Sequence, residues 1–118
     1  MTTIPELIAA LLRAEPALKA VLREHLADNG ELLSHLYIAD VTRWLVANGP
    51  GAPVLAVLET ALVDGDAEVR DIILASFIEN IEQDEPSYQP LRSALGPSLR
   101  KAVNEQESRS PRDLEPPT

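Results

Sequence analysis

This 118-residue sequence predicts an all-α fold. Apolar residues recur at helical spacing from Ile4 to Val103, no stretch alternates with period two over a useful length, and the glycines lie where the periodic segments end. The strongest segment is Asp66 to Ile81. At 100° per residue, Val69, Ile73, Phe77 and Asn80 fall within one narrow arc with Ser76 beside it, and Ile72, Leu74 and Ile81 widen the buried side. Glu68, Asp71, Glu79 and Glu82 occupy the opposite face. The architecture expected is a compact bundle of about six or seven helices stacked as hairpins.

Thr3-Ile4-Pro5-Glu6 opens the first helix: Thr3 caps, Pro5 suits the first turn, and Glu6 completes a capping box. Its stripe is Ile4, Leu7, Ile8, Leu11 and Leu12, and Pro16 stops it near Arg13. A second helix runs from about Pro16 to Asp28, with His25 on its apolar stripe as a satisfied core histidine, and Asn29-Gly30 ends it. The third spans about Glu31 to Ala47 and is apolar on several sides, which implies neighbours on several sides. His35 projects from its opposite face and reads as solvated. Pro53 begins the fourth, Val54 to Val63, and Asp64-Gly65-Asp66 is a turn with Asp66 as N-cap of the fifth. That helix is expected to reach about Gln83. A short sixth follows, and a seventh runs from Pro97 to about Gln106. Residues 1–106 thus read as one domain, and Glu107 to Thr118, with Pro111, Pro116 and Pro117 among Ser, Arg and acids, reads as a disordered tail.

The net charge is −9, and it is unevenly placed. Glu59 to Glu85 holds nine acids against Arg70 alone, so this one segment carries nearly all of it. Such a field repels nucleic acid and anionic membranes and attracts a basic protein partner. There is no cysteine, which excludes disulfides and thiolate metal sites. No apolar run reaches the ~20 residues of a membrane span. Met1 to Leu12 has no basic segment ahead of its apolar residues, so no signal peptide is expected there and a cytoplasmic location is. The two histidines are not at metal-ligand spacing, Asp64-Gly65-Asp66 lacks the spacing of a calcium loop, and no phosphate-cradling glycine loop or nucleophile elbow occurs. No catalytic residue, cofactor or metal is therefore expected.

The string Asp66-Ala67-Glu68-Val69-Arg70 resembles the opening of the second helix of a HEAT-type repeat, which implies a hairpin of helices four and five. His35 to Trp44, Ser76 to Asn80 and Leu95 to Leu99 together resemble a group of small, uncharacterised bacterial helical domains. Small acidic helical domains of this sort are similar to immunity proteins, and that resemblance implies a protein that neutralises a toxin by binding it.

Two places carry functional readings. On the fifth helix, Glu68, Asp71, Glu79 and Glu82 surround Ala75 and Ile78, an apolar patch ringed by acids that suits a basic partner. On the third, Asp40 falls within the apolar arc beside Trp44, with Arg43 and then Arg70 as candidate partners. It reads either as a structural ion pair or as part of a groove between helices three and five, formed by Asp40, Arg43, Trp44 and Asn80. Ser76 and Asn80 read as residues that bond a nearby backbone. The functions weighed are a non-enzymatic protein-binding module, a small-ligand or enzymatic site in that groove, and a subunit that forms homo-oligomers through surplus apolar surface.

Overall fold

Residues 1–49 and 51–108 are described by the structure, a computed structural model. They form α1 (Ile4–Ala14), α2 (Leu18–Asn29), α3 (Ser34–Asn48), α4 (Ala52–Asp64), α5 (Ala67–Ile73) with a π-helical continuation (Leu74–Ile78), a 3-10 turn (Pro86–Tyr88), α6 (Gln89–Ala94) and α7 (Pro97–Ser108). The all-helical bundle is as expected. Among the described residues, no helix is long and apolar enough to cross a membrane.

Local signals place most of the ends. The Thr3 hydroxyl oxygen accepts from the Glu6 N–H, and the Glu6 carboxylate accepts from the Thr3 N–H at 3.2 Å, so the capping box is present. The Asp66 carboxylate accepts from the Val69 N–H at 2.8 Å and starts α5. Gly30 ends α2 at φ 74°, a left-handed conformation that glycine adopts without steric cost. α3 begins at Ser34, later than expected, because Leu33 is extended and gives its N–H to the His25 ring at 3.0 Å.

α5 and its continuation form the centre, packed against α3, α4, α7 and α1, while α2 lies on α3 and α1 on α4. Their buried faces supply Val69, Ile73 and Phe77, against Leu11, Val41, Leu58 and Leu99 from the surrounding helices. The residues before α1 are stitched to the α4–α5 turn. The Thr2 N–H donates to the Asp64 carbonyl at 2.9 Å, and the Asp66 N–H donates to the Thr2 carbonyl at 3.0 Å. The chain passes so closely that a Cβ on Gly65 would lie 2.4 Å from the Ala61 carbonyl oxygen and 2.5 Å from Val69 Cγ1.

The expectation of one regular helix from Asp66 to about Gln83 is corrected. At Leu74–Ile78 the helix widens to a π-turn, in which the Glu79 N–H reaches the Leu74 carbonyl at 3.0 Å. The extra residue retards the helical phase by close to one residue's 100°. Ile78 therefore turns inward, 2 % exposed, while Asn80 turns out of the apolar arc and Leu74 stands 41 % exposed. The regular helical path ends there, and Glu82 lies in the connection beyond it. The Ser76 carbonyl is satisfied by side chains: Asn80 Nδ2 donates to it at 2.7 Å and the Thr42 hydroxyl approaches at 3.1 Å.

α7 is capped from another helix. Gly96 precedes it and brings no capping side chain, and Glu59 of α4 takes that role. Its carboxylate accepts the Ser98 N–H at 2.8 Å and the Leu99 N–H at 2.9 Å. Partial burial raises the Glu59 pKa, but these hydrogen bonds outweigh it and hold the group below the ordinary glutamate value. A Cβ on Gly96 would meet Glu59 Oε1 at 2.7 Å, so glycine is what lets the carboxylate approach. α7 also runs past its expected end at about Gln106. Glu107 and Ser108 belong to α7, and Glu107 Oε1 stands 2.5 Å from Arg92 Nη1 in an ion pair. The expectation for residues 109–118 lies outside the described residues.

Candidate functional site

The groove expected between helices three and five lies elsewhere. Asp40, Arg43 and Trp44 line a cleft of about 360 Å³ whose other wall is α2, contributing Val21, Glu24, His25 and Asp28. Asn80 is not part of it. The π-turn has rotated Asn80 to the surface, where it bonds the Ser76 carbonyl. The 3.6-residue period put Asn80 beside α3 only by assuming a regular helix.

Asp40 is held from two sides. Arg43 of its own helix pairs with one carboxylate oxygen, and His25 Nδ1 lies 3.4 Å from the other. The arginine partner was legible in the i,i+3 spacing, while the histidine was read only as core. Its signal was the coincidence of two polar residues inside apolar arcs on successive helices. Arg70, the other candidate, is exposed on α5.

His25 is 2 % exposed, and the Leu33 N–H sets its tautomer, while Asn29 Nδ2 lies 3.3 Å from Nδ1 and donates to the His25 carbonyl at 2.9 Å. Nε2 accepts the Leu33 N–H, so in the neutral ring the proton sits on Nδ1, facing Asp40. A carboxylate on Nδ1 is the arrangement that orients a catalytic histidine. Here the nitrogen that would take a substrate proton is occupied by a backbone donor. His25 thus joins α2, the α2–α3 turn and α3, and offers no free basic nitrogen. Beside it, Tyr37 is fully buried and donates to the Leu18 carbonyl at 3.3 Å. Burial, with the Asp40 carboxylate adding to it, pushes the phenol up to about 12.

Glu24 and Asp28 were not singled out from the sequence, because on an exposed helix face carboxylates four residues apart carry no signal of their own. The structure sets them opposite Trp44. His35, expected to be solvated, is exposed but touches the core through a 3.0 Å contact between Nδ1 and the buried Ser76 hydroxyl.

The second candidate face is α5. Glu68, Asp71, Glu79 and Glu82 are all exposed, and none forms an ion pair among the described residues. Ile78 is excluded as the apolar member of this surface because the π-turn buries it. Leu74 takes its place beside exposed Ala75. A larger depression, of about 460 Å³, lies along α7, but all its lining residues come from that one helix, so it has no opposing wall. Among the described residues, no group of three or more His, Asp or Glu side chains is placed to hold a metal ion.

The model of a domain of unknown function, DUF7674, matches residues 8–109. The chain belongs to the DUF7674 family. The DUF7674 match runs from α1 through α7 and so takes in both the α2–α3 cleft and the acidic face. No curated protein matches the chain. No solved structure matches it either.

Proposed function

We propose that this DUF7674 protein is a non-enzymatic binding module that docks a basic protein partner through the acidic face of α5. One observation carries the reading: Glu68, Asp71 and Glu79 stand exposed without ion-pair partners along α5 and its continuation, where Leu74 and Ala75 are exposed too, and Glu82 is exposed in the connection that follows. Concentrated like charges repel and contribute nothing favourable to folding. Opposite a basic surface the same charges steer association, and Leu74 supplies apolar contact at the centre. The narrower form of the proposal is an immunity-type protein that neutralises a toxin by covering a basic surface. It draws on the resemblance of small acidic helical domains to such proteins, and on the likeness of the α4–α5 hairpin to a HEAT-type repeat.

The test compares wild type with a variant carrying Glu68→Gln, Asp71→Gln, Glu79→Gln and Glu82→Gln. The variant should melt at or above the wild-type temperature. A basic partner isolated from the native host with wild type should associate with the variant at least tenfold more slowly at low salt, and most of the salt dependence of the rate should vanish. Equal rates for both proteins at both salt concentrations refute docking through this face.

Self-association is a second reading with an observation of its own. Leu26, Leu32, Leu33 and Leu36 are large apolar residues left exposed around the α2–α3 turn. Sedimentation of wild type and Leu36→Ser over a range of concentrations separates the two. A dimer that dissociates in the variant supports self-association, and a wild-type monomer throughout ends that reading.

A further inference from the structure

The α2–α3 cleft is separate from the acidic face of α5, and its chemistry is specific. One wall carries Glu24 and Asp28, one helical turn apart on α2. Neither forms an ion pair or a side-chain hydrogen bond among the described residues, and like charges at this spacing destabilise a helix. The other wall carries the half-buried ring of Trp44. At the floor, Asp40 adds a third carboxylate, 31 % exposed, and its only cationic neighbour there is Arg43. Arg43 is itself 64 % exposed and reaches Asp40 along α3, leaving the α2 carboxylates uncompensated. His25 offers neither nitrogen, since Nε2 holds the Leu33 N–H and Nδ1 lies between Asn29 Nδ2 at 3.3 Å and Asp40 at 3.4 Å. The cleft therefore combines net negative charge, an aromatic wall and room for a small group. About 360 Å³ lies at the lower end of the range of small-ligand clefts, ~300–1,000 Å³.

We infer that this cleft binds an organic cation, an alkylguanidinium or alkylammonium group on a short apolar stem, with Glu24 and Asp28 pairing the charge and Trp44 covering it. A planar guanidinium suits this setting best, because it donates to carboxylates in its plane and stacks on an aromatic ring with its face. Val21 and Ala47 also line the cleft and give the stem apolar contact. Relief of the Glu24–Asp28 repulsion adds to the binding. The same chemistry is found in a free amine and in an arginine or lysine side chain of another chain. The inference is independent of docking through α5.

Trp44 is the sole tryptophan, so intrinsic fluorescence reports on this cleft alone. The intact chain is titrated with n-butylguanidinium and with N-acetyl-arginine N-methylamide, and n-butylurea serves as the neutral control. A saturable change with either cation, with Kd about 1 mM or tighter, is expected for a group of this size. The tighter of the two cations shows whether a free cation or a chain-borne side chain is preferred. Glu24→Gln with Asp28→Asn should weaken binding at least tenfold while far-UV circular dichroism and melting temperature are retained. The four-glutamine variant of the α5 face should bind the probes as wild type does, so failure here and failure of α5 docking are distinguishable. A response that does not saturate overturns the inference. So does equal binding of n-butylurea, or unchanged affinity in the Glu24→Gln, Asp28→Asn variant.

Discussion

Glu59→Ala should uncap α7 without touching the hydrophobic core. The carboxylate accepts two backbone N–H groups at 2.8 and 2.9 Å at the start of that helix, where the unpaired donors and the helix dipole favour negative charge. An N-cap is worth ~0.5–2 kcal/mol, and hydrogen bonds to a charged group reach ~1.5–3 kcal/mol each. Ser98 is only partly buried, so water can replace part of what is lost, and a net cost of about 2 kcal/mol follows from these ranges. For a chain of this length that cost lowers the melting temperature by roughly 8 °C. The effect must also depend on pH. The folded-state pKa of Glu59 lies below its unfolded value, so its contribution is complete above the unfolded pKa of ~4.3 and is lost as pH falls through the folded value. Urea unfolding of wild type and Glu59→Ala at pH 7, 5 and 3 should show a full difference at the first two and a reduced one at the third. A difference under ~0.5 kcal/mol at pH 7, the range of an ordinary surface substitution, refutes the capping role. A difference unchanged at pH 3 refutes its electrostatic origin.

Gly65→Ala should cost about 2 kcal/mol by urea unfolding, since its Cβ would press on the Ala61 carbonyl and on Val69, and relieving that contact moves the α4–α5 turn. Asp40→Ala removes the carboxylate that faces His25 Nδ1 at 3.4 Å and pairs with Arg43, and should cost about 1–2 kcal/mol; the full penalty of a broken buried pair is not expected, because the carboxylate is 31 % exposed. In a Tyr88→Phe background, ultraviolet titration should show Tyr37 still protonated at pH 11, because its folded pKa is raised to about 12; stability from the neutral phenol is present below the unfolded value of ~10 and lost as pH rises through the folded one. Truncation after residue 106 removes Glu107 from Arg92 and should lower the melting temperature by more than truncation after residue 108.

The sequence determined whatever depends on neighbours along the chain. Thr3 with Glu6, Asp66 with Val69, and Gly30 after α2 act within a few residues, and each fixes a helix end where it was expected. Apolar periodicity likewise set the helical class and the buried faces of α1 and of the first turns of α5. The Asp40–Arg43 pair was legible for the same reason, being an i,i+3 contact on one helix.

Tertiary structure decided whatever depends on residues far apart in sequence. Glu59 lies 39 residues before Ser98 and reads as a polar interruption in α4 until α7 is placed against it. His25 sets the start of α3 by taking the Leu33 N–H, a bond that no local propensity encodes. The π-turn had the largest consequence for function. Ser76, Phe77 and Ile78 are buried in succession where this segment packs against α3 and α7, while Glu79 and Asn80 beyond them are exposed. The helix widens by one residue there, and the Thr42 and Asn80 side chains bond the Ser76 carbonyl. The same shift exchanged Ile78 for Leu74 on the acidic face and removed Asn80 from the groove. Those assignments rested on a fixed 100° step, and packing against two other helices altered that step.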